Sequence, residues 1–235
     1  MFILLFFVIL FVLFFITEIL IYTDILDNKR DNGYDTYIST RPLKCCILLT
    51  MYIGTDISRR LLYEDRVNRW LNETNFEIFV IDSSGNYINQ INPRLYQYCF
   101  RQNSEFSPTN PSIYERDSLL KAFDYFDFKE YDIIFKVTGK YFIPELKNVV
   151  KNIPYNTDFV LQNISSNDYQ HTEIVGFKIQ SIKSVLNLIT INNTFEMALY
   201  EIVQSKKYKY YRLPILKLDA FTERGDGSVL KELYI

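Results

Sequence analysis

Two apolar runs, residues 45–51 (CCILLTM) and 76–82 (FEIFVID), stand one helix-length apart, and this spacing constrains the fold more than any other feature of the chain. Each run is unbroken rather than alternating, which is the pattern of a strand covered on both faces, as in a parallel sheet. Between them Ile57, Leu61, Leu62, Val67, Trp70 and Leu71 recur at helical spacing among charged residues. Strand, helix and strand in this order make a βαβ unit with a right-handed crossover. Gly54 ends the first run, and Ser83-Ser84-Gly85 stops the second.

A long loop is expected next. Ser112 and Glu115 then have the Ser-x-x-Glu spacing of a capping box, which predicts a helix start with Leu119, Leu120, Phe123 and Phe126 as its apolar stripe. Residues 131–137 (YDIIFKV) read as a third buried strand running into Thr138-Gly139-Lys140-Tyr141. Further strands are expected over residues 159–161, 174–179 and 210–213, with a helix over 195–203. Alternating elements of this kind predict an α/β fold: a mostly parallel, Rossmann-like sheet with helices on both faces, in one domain over residues 43–235.

Residues 1–22 (MFILLFFVILFVLFFITEILIY) are apolar except for Thr17 and Glu18, about the ~20 residues that span a bilayer. No basic residue precedes them, and Glu18-Ile19-Leu20 is a poor cleavage site, so a retained signal anchor is favoured over a removed signal peptide. Residues 23–42 are polar and read as a stem. The expectation is a single-pass membrane protein of the endomembrane system or of a viral or host membrane. Lys29 and Arg30 hold the following side in the cytoplasm, whereas sequons at Asn72, Asn163 and Asn192 suit a lumenal domain, so the orientation stays open.

Basic and acidic residues number 26 and 28 and are interspersed, which argues against nucleic acid as a partner. Cys45, Cys46 and Cys99 have neither disulfide-framework nor zinc spacing and read as buried thiols; His171 has no nucleophile motif beside it.

In open α/β sheets ligands bind beyond the carboxyl ends of the strands. Three loops are selected by that rule: residues 50–54, 82–85 and 136–141. Asp82 is suited either to a base or ribose contact or to an Asx turn that merely stops the strand. Lys136, Thr138 and Lys140 share one face if the strand continues, and with Gly139 they suit a diphosphate. Negative charge grows on the diphosphate when a nucleotide-sugar bond breaks, and ammonium groups would meet it. The alternative is a solvated strand end. Gly139-Lys140 is not a Walker A loop, and no GxGxxG occurs.

The stretch Glu115-Arg116-Asp117-Ser118-Leu119-Leu120, followed by residues 131–141, resembles a group of small glycosyltransferase-like proteins of the GT-A type. They occur in bacterial polysaccharide clusters and large DNA viruses, and carry a Glu-bearing helix before a strand ending Lys-x-Thr-Gly-Arg-Tyr. Arg224-Gly225-Asp226-Gly227-Ser228 is similar to their glycine-rich C-terminal segment. The resemblance implies a nucleotide-sugar donor, with Thr50, Asp82 and Ser83 on the nucleotide, and Lys136, Thr138, Gly139, Lys140 and Tyr141, with Glu115, around the diphosphate. No Asp-x-Asp is present, so a divalent metal is not expected as a cofactor, and lysines would supply the positive charge. Lys140 replaces an Arg and loses its bidentate fork. Glu196, placed like a base at the start of a late helix, is the candidate to take a proton from the acceptor hydroxyl, with Asp226 second; Asn193 and Glu196 also have capping-box spacing. The expected activity is hexosyl transfer to a glycan or glycolipid hydroxyl. The alternatives are a non-catalytic glycan- or protein-binding domain of the same fold and a membrane-tethered structural protein.

Overall fold

The computed structural model describes residues 41–102, 111–162, 165–166, 169–220, 222–223, 229–230 and 233–234. The expected anchor, residues 1–22, and nearly all of the stem lie outside them. Among the described residues no helix is long and apolar enough to cross a membrane. All of the described residues belong to one compact unit, Ile38–Ile235.

The expected βαβ unit is present as β1 (Cys45–Met51), α1 (Ile57–Glu73) and β2 (Glu77–Asp82). Asp56 caps α1 by accepting from the backbone N–H of Arg59. The buried stripe of α1 is Tyr63, Val67, Trp70 and Leu71. Ile57 and Leu61 were expected on that stripe but are 73% and 60% exposed; Leu61 falls about half a turn round the helix from Trp70, on its outer side.

The expected loop after β2 contains an additional strand, β3 (Leu95–Cys99), which extends the sheet parallel to β2. Next come α2 (Ser112–Tyr125), β4 (Ile133–Thr138), the short β5 (Tyr141–Phe142), and α3 (Leu146–Val149). They are followed by β6 (Phe159–Leu161), a hairpin of β7 (Ser165–Ser166) and β8 (Tyr169–Gln170), β9 (Ile174–Phe177), α4 (Ile179–Leu186), α5 (Phe195–Gln204) and β10 (Tyr210–Arg212). Residues 178–179, expected to prolong β9, instead start α4. The main sheet runs β10-β6-β9-β4-β1-β2-β3, and β9 alone is antiparallel to its neighbours. Then β11 (Lys217–Ala220) pairs with β5.

Helices cover both faces. One core holds Ile47, Leu49, Val80, Phe135 and Val137 under Trp70 and Val67 of α1. The other holds Leu48, Ile81, Ile134 and Val175 under Leu119 of α2, Ile182 of α4, and Phe195 and Leu199 of α5. Cys45 and Cys46 fall on opposite faces, buried and free, as period-two alternation requires. Trp70 is fully buried, donates its indole N–H to the Tyr141 carbonyl at 3.1 Å, and meets Phe142 edge-on at 4.8 Å, so β5 is held to α1.

Candidate functional site

The three expected loops do meet. β1 lies between β2 and β4, with Thr50 level with Ile81 on one side and Thr138 on the other. Gly139 donates its N–H to the Thr50 carbonyl at 2.9 Å. Ile53 donates to Asp82 Oδ2 at 2.7 Å, and Gly54 to Ser84 Oγ at 2.9 Å.

What they do there differs by residue. Asp82 is fully buried, and besides Ile53 it accepts at Oδ1 from the Ser84 N–H and hydroxyl and from the Asn86 N–H. Its carboxylate thus stops β2 and ties it to β1, in the manner of an Asx turn. Ser83 is also buried, its N–H on the Met51 carbonyl at 3.1 Å. A Cβ on Gly139 would overlap Met51 Cγ and come within 3.2 Å of the Thr50 carbonyl, so close packing of this turn against β1 already requires glycine there.

β4 ends at Thr138, and Gly139-Lys140 form a turn, so the strand does not carry Lys136 and Lys140 onto one continuous face. Nor is Lys136 a solvated strand end. It is 1% exposed, and its ammonium is paired with Glu115 of α2. It also donates to the Thr172 carbonyl at 2.8 Å and approaches Thr138 Oγ1 at 3.5 Å, over the ring of Phe195. Glu115 is freed for this because Pro111, not Ser112, stands at the N-cap of α2, with no side-chain cap bond. Lys140 sits apart, its ammonium 5.1 Å from the centre of the Tyr141 ring. Burial lowers its pKa, nearby Glu173 opposes that, and Arg59 adds to it. Tyr141 is a core residue of β5, its phenol pushed up to about 12 by burial and then by Glu173.

Glu196 lies in the first turn of α5, and its expected capping bond is not the one that forms. Thr194 caps the helix by accepting from the Met197 N–H. The half-buried Glu196 carboxylate instead accepts from Thr172 Oγ1 at 2.8 Å. Glu115, Lys136, Thr172 and Glu196 therefore form one connected polar chain. Thr172 bridges the two ends, its carbonyl on the ammonium and its hydroxyl on the second carboxylate. Thr50, Lys136 and Thr138 sit on the sheet face that α2 and α5 cover. Asp226 lies outside the described residues.

Sequence reasoning missed Thr172 and Glu173. The Glu173 carbonyl accepts from the Thr138 N–H at 3.1 Å, which sets the start of β9 beside the end of β4. No sequence signal marks them: Tyr169-Gln170-His171-Thr172-Glu173 has no apolar alternation, and the burial of Gln170 and Thr172 between less buried neighbours emerges only in the fold.

Ammonium groups stand beside the carboxylates of Glu115 and Glu173, and among the described residues no group of three or more His, Cys, Asp or Glu side chains is placed to hold a metal.

No protein-family model matches the chain, and no curated protein matches its sequence. Among solved structures it is similar to the mannosyltransferase PcManGT from Pyrobaculum calidifontis in complex with GDP-Man and Mn2+, with TM-score 0.50 and 12% identity over 74% of this chain and 56% of that one. A glycosyltransferase involved in glycosylation of the major capsid of PBCV-1 aligns with TM-score 0.49 and 11% identity, over 72% of this chain and 81% of that one. The WbbM bifunctional glycosyltransferase aligns with TM-score 0.48 and 11% identity, over 74% and 39%. This chain spans just over half the length of the mannosyltransferase. At 12% identity the likeness is one of fold: a mixed, mostly parallel α/β sheet shared with a glycosyltransferase.

Proposed function

We propose that the chain transfers a hexosyl group from a nucleotide-sugar donor to a hydroxyl of a glycan or glycolipid. The observation that carries this reading is the Thr172 bridge, which keeps a carboxylate without a cationic partner among the described residues, Glu196, beside the buried Lys136–Glu115 pair at the carboxyl edge of the sheet. In the reaction Glu196 takes the proton of the acceptor hydroxyl. The hydroxyl oxygen bonds to the anomeric carbon, and the bond from that carbon to the diphosphate oxygen breaks with its electron pair on the leaving group.

Lys140, half-buried on the turn after β4, is the ammonium that meets the departing charge. Lys136 is too enclosed for that task and serves instead as a positioning residue, fixing Thr172 and through it Glu196. The sheet likeness to a mannosyltransferase solved with GDP-Man supports a nucleotide sugar as donor. Single-pass attachment to an endomembrane, or to a viral or host membrane, is part of the same reading and rests on the apolar run at residues 1–22.

The test is to incubate the full chain in detergent with a panel of UDP-, GDP- and CMP-sugars and p-nitrophenyl glycosides, with and without manganese, and to follow release of the nucleotide and of new glycoside. Release that Glu196→Gln and Lys140→Ala each suppress is expected. No release from any donor, together with no donor-induced rise in Tm, would overturn the reading.

A further inference from the structure

The segment leading into β9 alternates sharply. Gln170 and Thr172 face inward, 1% and 6% exposed. Tyr169, His171 and Glu173 face outward, with Tyr169 counted among the exposed large side chains. The three outward groups form a continuous row: the Tyr169 and His171 rings meet edge-to-face at 5.1 Å, and His171 Nδ1 lies 3.7 Å from Glu173 Oε2. That last separation is beyond hydrogen-bond reach. Glu173 Oε2 is buried and has no hydrogen-bond partner among the described residues. The Glu173 side chain as a whole keeps 26% exposure, so a ligand reaches its carboxylate at Oε1 rather than at the enclosed Oε2.

The surroundings select the donor. After burial, Glu196 and then Glu173 push the Tyr169 phenol up, so an anion at this ring meets two carboxylates. Lys140 already supplies a positive charge near Glu173, so a further cation gains less from that carboxylate. A neutral ligand rich in hydroxyl groups, with an apolar face for an aromatic ring, fits both constraints.

Resting on the transferase reading above, we propose that Tyr169, His171 and Glu173 form the subsite for a neutral pyranose of the acceptor. The ring of Tyr169 covers a C–H face of the sugar, and Glu173 accepts from its hydroxyl groups. α5, which carries Glu196 in its first turn, packs against β8, which carries Tyr169, so a sugar resting on the row lies close to the helix that bears the proposed base.

The test measures binding without turnover. Saturation-transfer NMR and titration are run on the full chain in detergent with p-nitrophenyl and octyl pyranosides of the gluco, galacto, manno and xylo series. Wild type is expected to bind at least one sugar. Tyr169→Ala and Glu173→Ala should each weaken it by about tenfold, the loss of roughly one charged-group hydrogen bond or ring contact. Glu173→Gln, which keeps an acceptor oxygen, should recover part of that loss. Equal binding of both aglycones identifies the sugar itself as the ligand, and stronger binding of the octyl series identifies a glycolipid headgroup. No binding of any pyranoside to wild type, or unchanged affinity in both alanine variants, would overturn the subsite. Nucleotide release from donor alone, measured on wild type, reports separately on the transferase reading.

Discussion

Lys136 of β4 and Glu115 of α2 form an ion pair across the sheet-helix interface, with the lysine side chain 1% and the glutamate 23% exposed. Taking both groups out of water is costly, and the pair persists because the ammonium also bonds the Thr172 carbonyl and lies over Phe195. The pair joins the two elements and sets the height of Thr172 against the end of β4.

Breaking the pair from one side should be more damaging than removing it. Glu115→Gln is expected to destabilise by about 3 kcal/mol, since it leaves a buried ammonium without a countercharge. The double replacement Glu115→Leu with Lys136→Met should return most of that loss while abolishing transfer. Urea unfolding of the wild type and the two variants provides the comparison, and equal losses in the single and double variants would contradict it.

Glu196→Gln should lower kcat by roughly 10²- to 10⁴-fold and leave Tm nearly unchanged, because the amide oxygen still accepts from Thr172 Oγ1. Thr172→Val, which removes the hydroxyl but keeps the carbonyl under Lys136, should lower kcat less and shift the pH profile of transfer. A structural role alone would leave that profile in place.

Gly139→Ala should destabilise by about 1–3 kcal/mol through overlap with Met51. Adding Met51→Ala should restore part of the loss, since Met51 is the flexible neighbour, while the Thr50 carbonyl remains tight. A non-additive double-mutant cycle in thermal melts is the expected outcome. Additive losses would show that the glycine answers to something else.

Stability should fall in alkali. Burial pushes the thiols of Cys45 and Cys99 up to about 12, and raises that of Cys46 well above the ordinary thiol value. A folded-state value above the unfolded one favours the folded state fully at pH below the unfolded value. That contribution is lost as pH rises from about 9 toward 12 and the unfolded chain releases protons that the folded chain keeps. Each such thiol adds about 1.4 kcal/mol per pH unit to the slope over that window, less for the partly exposed Cys99. Unfolding at about pH 8 and about pH 10.5 should show the decline, and Cys45→Val should flatten it.

The sequence made the frame legible where hydrophobic runs were long. β1, α1, β2 and β4 are each recognisable from their apolar pattern alone, and an interior place for β1, between β2 and β4, agrees with its being apolar on both faces. β3 was not legible, because an edge strand such as Leu95–Cys99 is only partly buried and its pattern is mixed. The site was legible as a place and less so as contacts. Alternation put Lys136 and Thr138 on one face, but the partner of Lys136 comes from α2, where Ser112-x-x-Glu115 mimics a cap that does not form. Asn193 and Glu196 pose the same ambiguity, and Thr194 resolves it by taking the cap. Glu173 had no motif at all; only the packing of β9 against β4 brings it to the edge.

Because β9 runs against the other strands of its sheet, it begins where they finish. The hairpin upstream of β9 thus stands at the carboxyl edge of β4, at a point of entry into the sheet rather than of exit. Residues added or exchanged in that hairpin change this edge without shifting the register of β4 with β9, whose pairs from Ile174 to Phe177 are set further along. This scaffold can therefore change its clientele by editing a single connection while its load-carrying strands stay as they are.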